Sequence, residues 1–210
     1  SPKFGSSIGG TVVTIKGNGF STVQADTTVF IDDTICTVTA VIATQITCTT
    51  GPLPEISART SRLTGKIVVK TKGKGSAVIA KGVHFLYAEK WSDPKTWGCG
   101  GLPIDGDSIH VPIGMNLLVD VDFRTTSVPK FVAVVVEGSL IFADMNNQFQ
   151  AEYIMVRNGI LRIGTEDEPF QSKLTIKMNG LYDDEQLPIF GNKAIALYEG
   201  LIDIHGKPRT

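Results

Sequence analysis

Two aspartates lie two residues apart in an otherwise apolar run and are the first candidates for chemistry in this sequence. Asp120 and Asp122 are separated only by Val121, so on a strand both side chains face the same way. Paired carboxylates act as acid and base in glycoside cleavage, or they bind a cation. The alternative, which we favour, is a solvated strand edge. No apolar pocket is evident that would raise the pKa of one carboxyl as a glycosidase acid requires.

The histidines add one further candidate. His84, His110 and His205 are far apart and lack the spacing of metal ligands, and only His205, in a final Ile-His-Gly corner, joins the candidate glycan or cation site. The acidic runs at 166–168 and 183–185 are typical of exposed turns, although their oxygens would also suit calcium. Neither a zinc-protease motif, a nucleophile elbow nor a phosphate loop is present. We therefore expect no catalytic residue, no metal and no cofactor.

Cysteine usage bears on the compartment of the protein. Cys36 and Cys48 each lie in an alternating, β-branched segment, and two antiparallel neighbours would bring them within bridging distance. We predict a disulfide between them, which implies an oxidising compartment. The alternative is two buried free thiols in a cytosolic protein. Cys99 is left over, either free or paired with a cysteine elsewhere.

Both tryptophans of the chain fall in one turn-rich segment. Trp91 and Trp97 flank Ser, Asp, Pro, Lys and Thr, and a glycine-rich stretch follows them. Such tryptophans form a platform on which sugar rings stack, or they close the open end of a β core. We favour the second interpretation.

Short β-rich runs separated by turn residues fill the first half of the chain. We predict strands at 11–15, 28–31, 36–41, 45–49, 66–70 and 78–85. About seven short strands with turns every 8–12 residues are typical of a β-sandwich. Prolines at 52 and 54, followed by a polar stretch to Arg62, predict a long exposed connection. A boundary near residues 88–90 divides the chain into domains 1–88 and 89–210.

The second half contains an internal repeat centred on glycine. Gly138, Gly159, Gly180 and Gly200 each precede alternating apolar residues, at steps of 21, 21 and 20. A constant period near 20 residues in an all-β sequence indicates stacked coils of a β-solenoid, with glycine at each corner, whereas a second sandwich is the alternative. A shifted earlier copy runs from Gly114 to Asp122.

Composition limits the partners. The chain has 210 residues and a formal charge of −1, which gives no electrostatic case for nucleic acid or an anionic membrane as main partner. No apolar run approaches the ~20 residues of a membrane span. The first residues do not read as a secretory signal, so we expect a piece of a longer protein whose membrane anchor lies elsewhere.

Two domain families are identified by resemblance. The stretch 8–21, followed by Cys36 and by QITCTT at 45–50, resembles an extracellular IPT/TIG domain, which has an immunoglobulin-like sandwich fold. Residues from about 91 to 210 resemble the G8 domain. The matching motifs are WSDPKTW at 91–97, LPxxGD at 102–107, VPIG at 111–114, LVDVD at 118–122, EGxLxF at 137–142, AEYI at 151–154 and IGTEDEPF at 163–170.

The order of these two domains resembles the fibrocystin and fibrocystin-like family. LPIFG at 187–191 and LIDIHG at 201–206 also resemble that family. The resemblance implies large ciliary or cell-surface proteins with tandem IPT repeats, and hence an extracellular structural or binding module whose partners are neighbouring domains and cell-surface proteins or glycans. Other G8 proteins are cell-surface hyaluronidases and hyaluronan-binding relatives, so a glycan-binding or hyaluronan-depolymerising protein is the second hypothesis. A filament component assembled through IPT strand edges is the third.

Overall fold

The computed structural model describes residues 2–55, 64–80, 83–125, 127–181, 183–184, 187 and 189–208. These residues form an all-β structure with short 3-10 turns at Gln24–Asp26, Pro94–Gly100 and Phe123–Thr125. The described part of the chain has no helix with the length and apolar composition needed to cross a bilayer. The chain divides into two compact units, Ser1–Glu89 and Lys90–Thr210.

The first unit is built mainly on one antiparallel sheet. Its strands are β1 (Phe4–Gly5), β2 (Val12–Lys16), β3 (Thr27–Ile31), β4 (Thr34–Ile42), β5 (Gln45–Thr50), β6 (Ile67–Thr71), β7 (Gly75–Ser76) and β8 (Leu86–Tyr87). Six of them follow the order β2-β5-β4-β3-β6-β7, and β1 pairs separately with β8 in parallel.

Strand β4 joins the two halves of this sheet. Its first residues pair with β3, and its remaining residues pair with β5 across a register shift between Val38 and Ala40. Buried residues alternate with more exposed ones along β2, β3 and β5 and along the start of β6, so every second side chain turns inward. Inward side chains from both halves, with Phe85 and Tyr87, form a single buried core.

The predicted strand at 78–85 is wrong. The sheet ends instead at the two-residue strand β7, and the next strand, β8, begins at Leu86. Val78 is 98% exposed, so the apolar residues that suggested a strand do not all turn toward the core. The predicted long connection after Pro54 falls largely on residues 56–63, outside the described residues.

The second unit consists of two parallel sheets. After β9 (Glu89–Lys90), its strands are β10 (Ile109–Val111), β11 (Asn116–Val119), β12 (Lys130–Val136), β13 (Ser139–Phe142), β14 (Asn147–Arg157), β15 (Ile160–Ile163), β16 (Leu174–Met178), β17 (Ile195–Tyr198) and β18 (Leu201–Ile204). One sheet has the order β10-β12-β14-β16, with β17 also paired to β14, and the other has the order β18-β15-β13-β11-β9.

From β10 to β16 successive strands alternate between the two sheets, and each of β12 to β16 pairs with the strand two before it. Leu117 pairs with Leu140, and Leu140 pairs with Leu161. In the other sheet Val111 pairs with Val136, and Val136 pairs with Val156. Like residues therefore stack on like, and these apolar positions are 0% exposed.

Glycine at the corners between the sheets is required by close packing of the backbone. A Cβ on Gly138 would lie 2.2 Å from the carbonyl oxygen of Met115, and one on Gly159 would lie 2.2 Å from that of Val136. Neither glycine has a positive φ; in the corner of Gly159 the preceding residue, Asn158, has one, at 55°. Here the missing side chain matters because the neighbouring chain passes where a Cβ would be.

The four equally spaced glycines are not four equivalent corners, because the third, Gly180, differs from the others. Strand β14 is long enough to pair with β16 along its first half and with β17 along its second half. Gly180 lies in the excursion between β16 and β17, whereas Leu201, next to Gly200, donates its N–H to the Gly159 carbonyl at 2.9 Å. Gly138, Gly159 and Gly200 therefore follow one another in the stack, and Gly180 does not belong to it.

Candidate functional site

Asp120 is engaged by a neighbouring loop. It lies just after β11, which ends at Val119, so Asp120 is not part of a strand. Its carboxylate accepts hydrogen bonds from the backbone N–H of Ser92 at 2.9 Å and from the Ser92 hydroxyl at 2.7 Å. This carboxylate therefore fixes the segment that carries Trp91.

Asp122 is engaged by Arg124. Its oxygens accept from Nε of Arg124 at 3.0 Å, from Nη2 at 2.8 Å and from the backbone N–H at 3.0 Å. These hydrogen bonds and the guanidinium charge hold the pKa of the Asp122 carboxyl below its usual range, although desolvation opposes them. A glycosidase acid needs the opposite shift. The expectation that Asp120 and Asp122 share one strand face is wrong, because β11 ends before both.

His205 lies at the end of a chain of polar contacts on the outermost turn. Its Nε2 is 2.8 Å from Oδ1 of Asp203, whose Oδ2 accepts from Nε of Arg162 at 3.0 Å. Its backbone is equally engaged, since its N–H donates to Ile163 and its carbonyl accepts from Phe170. Asp120 bonds to Ser92, Asp122 to Arg124 and His205 to Asp203, so the sequence-predicted residues are held by separate partners.

A second cluster, which the sequence reasoning missed, surrounds Glu137. Nε2 of His110 is 2.8 Å from Oε2 of Glu137, and Arg157 donates to Oε1 through both Nε and Nη2. Hydrogen bonds from Arg157 first, and then from His110, lower the pKa of the Glu137 carboxyl. Strand register is the signal that could have revealed this cluster. Val136 pairs with Val156, so the residues that follow them, Glu137 and Arg157, lie side by side.

Other polar side chains connect successive turns of the chain through the backbone. Asp105 accepts from the N–H of Lys130, and Asp144 accepts from those of Gln171 and Ser172. Within the acidic run at 166–168, Glu168 instead bonds back to Thr165 in a turn. Among the described residues no group of three or more His, Cys, Asp or Glu is arranged to hold a metal ion.

The tryptophans close a core. Trp91 is 1% exposed, and its ring packs against those of Phe123, Phe131 and Phe149 at centroid distances of 5.4–6.0 Å. Trp97 lies edge-on against Trp91 at 4.8 Å and donates its indole N–H to the Trp91 carbonyl. A buried ring cannot stack on a sugar, so Trp91 is not part of a carbohydrate platform.

Cys36 and Cys48 form a disulfide inside the core of the first unit. Their Cα atoms are 5.5 Å apart on adjacent strands β4 and β5, and both residues are at most 1% exposed. The antiparallel register brings them together, since Val38, two residues after Cys36, pairs with Cys48. The side chain of Cys99 lies outside the described residues.

An apolar cleft opens at the last strands of the second unit. It has a volume of about 730 Å³ and lies beside β16 and β18. Its apolar lining comprises Ile163, Phe170, Leu174, Ile176, Ile204 and Pro208. Ile204 is 56% and Leu201 46% exposed, unlike their counterparts one turn earlier, Ile163 at 7% and Ile160, which is half-buried.

Comparison with known families agrees with this two-part architecture. The family model of the IPT/TIG domain matches residues 1–87, and that of the G8 domain matches residues 96–210. No solved structure matches the chain.

Comparison with known proteins points the same way. The chain is 34% identical to human fibrocystin-L over 209 residues and 33% identical to the mouse protein, covering 99% of this chain in both cases. It is 32% identical to dog fibrocystin over 69% of this chain. The chain spans only 5% of the length of the fibrocystin-L proteins.

Proposed function

This chain belongs to the G8 family and carries an IPT/TIG domain ahead of its G8 domain as fibrocystin-like proteins do, and from that premise we propose that it is an extracellular structural and binding segment of a large cell-surface or ciliary protein. In this proposal the segment contributes rigid architecture and exposed surface, and it catalyses no reaction. Its partners are neighbouring domains of the same protein and proteins or glycans of the cell surface.

One observation carries the structural part of the proposal. From β10 to β16 successive strands fill the two sheets of the second unit alternately, with like residues stacked in register. We infer that these strands are the first turns of a β-solenoid. Such a stack is stiff, because the strands of one turn are hydrogen-bonded to those of the next and bury apolar side chains against them.

The two ends of the stack differ in a way that supports this inference. Near the first turns Trp91 and three phenylalanines fill the interior. At the other end the apolar cleft beside β16 and β18 is open. We infer that in the longer protein a further turn covers this cleft, because an uncovered turn exposes apolar side chains and unpaired strand edges.

The disulfide supports the extracellular part of the proposal. Buried disulfides persist in oxidising compartments and are rare where thiols are kept reduced. Surface biotinylation of cells expressing the full-length protein, with a membrane-impermeant reagent, tests it. We expect labelling of intact cells at an epitope in this segment. Labelling only after permeabilisation would refute the extracellular assignment.

A non-catalytic role is tested separately with hyaluronan. The two candidate carboxylates are occupied, Asp120 by Ser92 and Asp122 by Arg124, which supports a positioning role for both. We expect size-defined hyaluronan to keep its length on incubation with the protein, with or without calcium. Depolymerisation that disappears in Asp120→Asn would overturn the proposal in favour of a glycan-cleaving enzyme.

A further inference from the structure

Charge is distributed very unevenly between the two halves of the chain. Residues 1–88 contain nine Lys and Arg against four Asp and Glu, whereas residues 89–210 contain eleven against seventeen. Within the first half, residues 56–88 contain seven basic side chains and no acidic one. The whole-chain charge of −1 therefore averages a basic unit with an acidic one.

Three of these basic residues are concentrated on one exposed hairpin. Strands β6 and β7 pair only at their ends, Lys70 with Ser76 and Thr71 with Gly75. The turn between them contains Lys72 and Lys74, and all three lysines are exposed. We call residues 70–76 the basic hairpin. It lies at the edge of the sheet, where β7 has no further strand beside it in the described chain.

Two ammonium groups of the basic hairpin contact uncharged groups. Nζ of Lys74 donates to the Gly19 carbonyl at 3.0 Å, and Nζ of Lys70 lies 5.6 Å from the centroid of the Phe30 ring. No ion pair within the described residues includes Lys70, Lys72 or Lys74. Asp26 meets the hairpin through its backbone, where its carbonyl accepts from the N–H of Lys72.

The far end of the same strand has a different electrostatic environment. Lys66 precedes β6, and its backbone N–H donates to the carboxylate of Asp32, with Asp33 next to it. At ~3.4 Å per residue, Lys66 and the hairpin turn are on the order of 20 Å apart, which exceeds the screening length of about 8 Å at physiological salt. At the Lys66 end a carboxylate therefore lies against the strand, whereas at the hairpin end no described carboxylate forms an ion pair with a lysine.

We propose that the basic hairpin binds a sulfated polysaccharide. Around the lysines the hairpin consists of Thr71, Gly73, Gly75 and Ser76, so it offers no aromatic or arginine anchor of the kind that dominates protein–protein interfaces. Lysine ammonium groups act as hydrated point charges on flexible stems. They suit a flexible polyanion, whose attraction comes from charge density and released counterions, better than a partner that must fit one shape.

The inference deepens the proposed binding role and rests on it, since the extracellular face is where such polysaccharides are met, but the two are tested independently. Three contacts to a polyanion of DNA-like charge density predict that affinity falls about 40-fold between 50 and 200 mM salt. Binding of a fluorescent heparin dodecasaccharide to the purified 210-residue chain, followed by anisotropy at both salt concentrations, measures this dependence.

A charge-matched pair of variants assigns the site. The triple substitution Lys70→Gln, Lys72→Gln and Lys74→Gln removes three charges from the basic hairpin. The control Lys95→Gln, Lys173→Gln and Lys177→Gln removes three exposed charges from the second unit. We expect the hairpin variant to bind heparin about tenfold more weakly or worse at 50 mM salt, with an unchanged melting temperature, and the control to bind like the wild type.

Several results would overturn the proposal. They are absence of heparin binding by the wild type at 50 mM salt, equal weakening in both variants, and hyaluronan binding as tight as that of heparin despite its lower charge density. Concentration-dependent self-association that only the hairpin variant abolishes would also overturn it. That result would assign the hairpin to the acidic unit of a second copy of the chain.

Discussion

Replacing Gly159 by alanine tests the stacked arrangement of the second unit most directly. A Cβ at this position would lie 2.2 Å from the carbonyl oxygen of Val136, 2.7 Å from its carbonyl carbon and 2.9 Å from the carbonyl oxygen of Gly138. All three atoms are backbone, so no side chain can rotate away. The neighbouring turn must move by about 1 Å to restore ordinary contact, and overpacking of this kind typically costs 1–3 kcal/mol.

The net effect on the free energy of unfolding follows from two opposing contributions. We take about 3 kcal/mol for the overpacking, because the backbone itself must shift. Alanine also restricts the unfolded chain, which returns about 0.4–1 kcal/mol. Gly159→Ala should therefore destabilise the second unit by about 2–3 kcal/mol. Gly206→Ala is the matched control, because nothing lies within 4 Å of its Cβ position and its φ is not positive. We expect less than about 0.5 kcal/mol from the control.

Tryptophan fluorescence during urea unfolding is the appropriate assay. Both tryptophans belong to the second unit, and Trp91 is buried in its aromatic core, so the signal reports that unit alone. With an m-value of about 2 kcal/mol per molar urea, the midpoint of Gly159→Ala should fall by about 1 M or slightly more. A Gly159→Ala midpoint within experimental error of that of Gly206→Ala would refute the stacked corner.

Three further predictions concern the disulfide and two titrating side chains. Replacing Cys36 and Cys48 together by alanine should lower the stability of the first unit by about 3 kcal/mol. Circular dichroism should show this loss as a lower thermal midpoint. A midpoint equal to that of the oxidised wild type would contradict a stabilising bridge. Burial first, and then the charge of Asp32, raises the pKa of Tyr87 to about 12. Because the folded-state pKa lies above the unfolded value, this contribution to stability should be intact below pH 10 and be lost as the pH rises toward about 12. Tyr87→Phe should remove that loss in urea titrations followed at several pH values. Because Arg157 and His110 lower the pKa of Glu137, its contribution should be present above the ordinary glutamate pKa and be lost as the pH falls through the folded-state value; an acid titration of Glu137→Gln that matches the wild type would refute it.

The acidic residues show why side chains that form a predicted site in the sequence are not always brought together in the structure. Asp120 and Asp122 lie two residues apart, a spacing that suits glycoside chemistry on a strand. However, β11 ends at Val119, and each carboxylate bonds to its own partner. Conversely, Glu137 and Arg157 are 20 residues apart and meet because their strands pair one turn apart. Spacing along the chain carries no information on partners that only register brings together.

Several elements of the fold could be predicted from residue types and their local order. Short β-rich runs between turn residues predict β2, β3, β5 and β6, and two cysteines in alternating segments favour the observed bridge. Glycine before an apolar segment predicts a corner of the stack at positions 138, 159 and 200. These features depend on local backbone geometry and on which side chains avoid water, and residue type encodes both.

Strand pairing, in contrast, selects the repeats that stack, and the fold places the charged side chains relative to one another. Gly180 matches the repeat as well as its neighbours, but β14 has room for both β16 and β17, so the chain makes an excursion before the stack resumes at Gly200. The lysines of residues 70–76 are visible in the sequence, yet the absence of an ion pair to them among the described residues depends on where Asp26 and Asp32 lie in the fold. Strand pairing and charge compensation join residues distant in the chain, and a local pattern does not encode that distance.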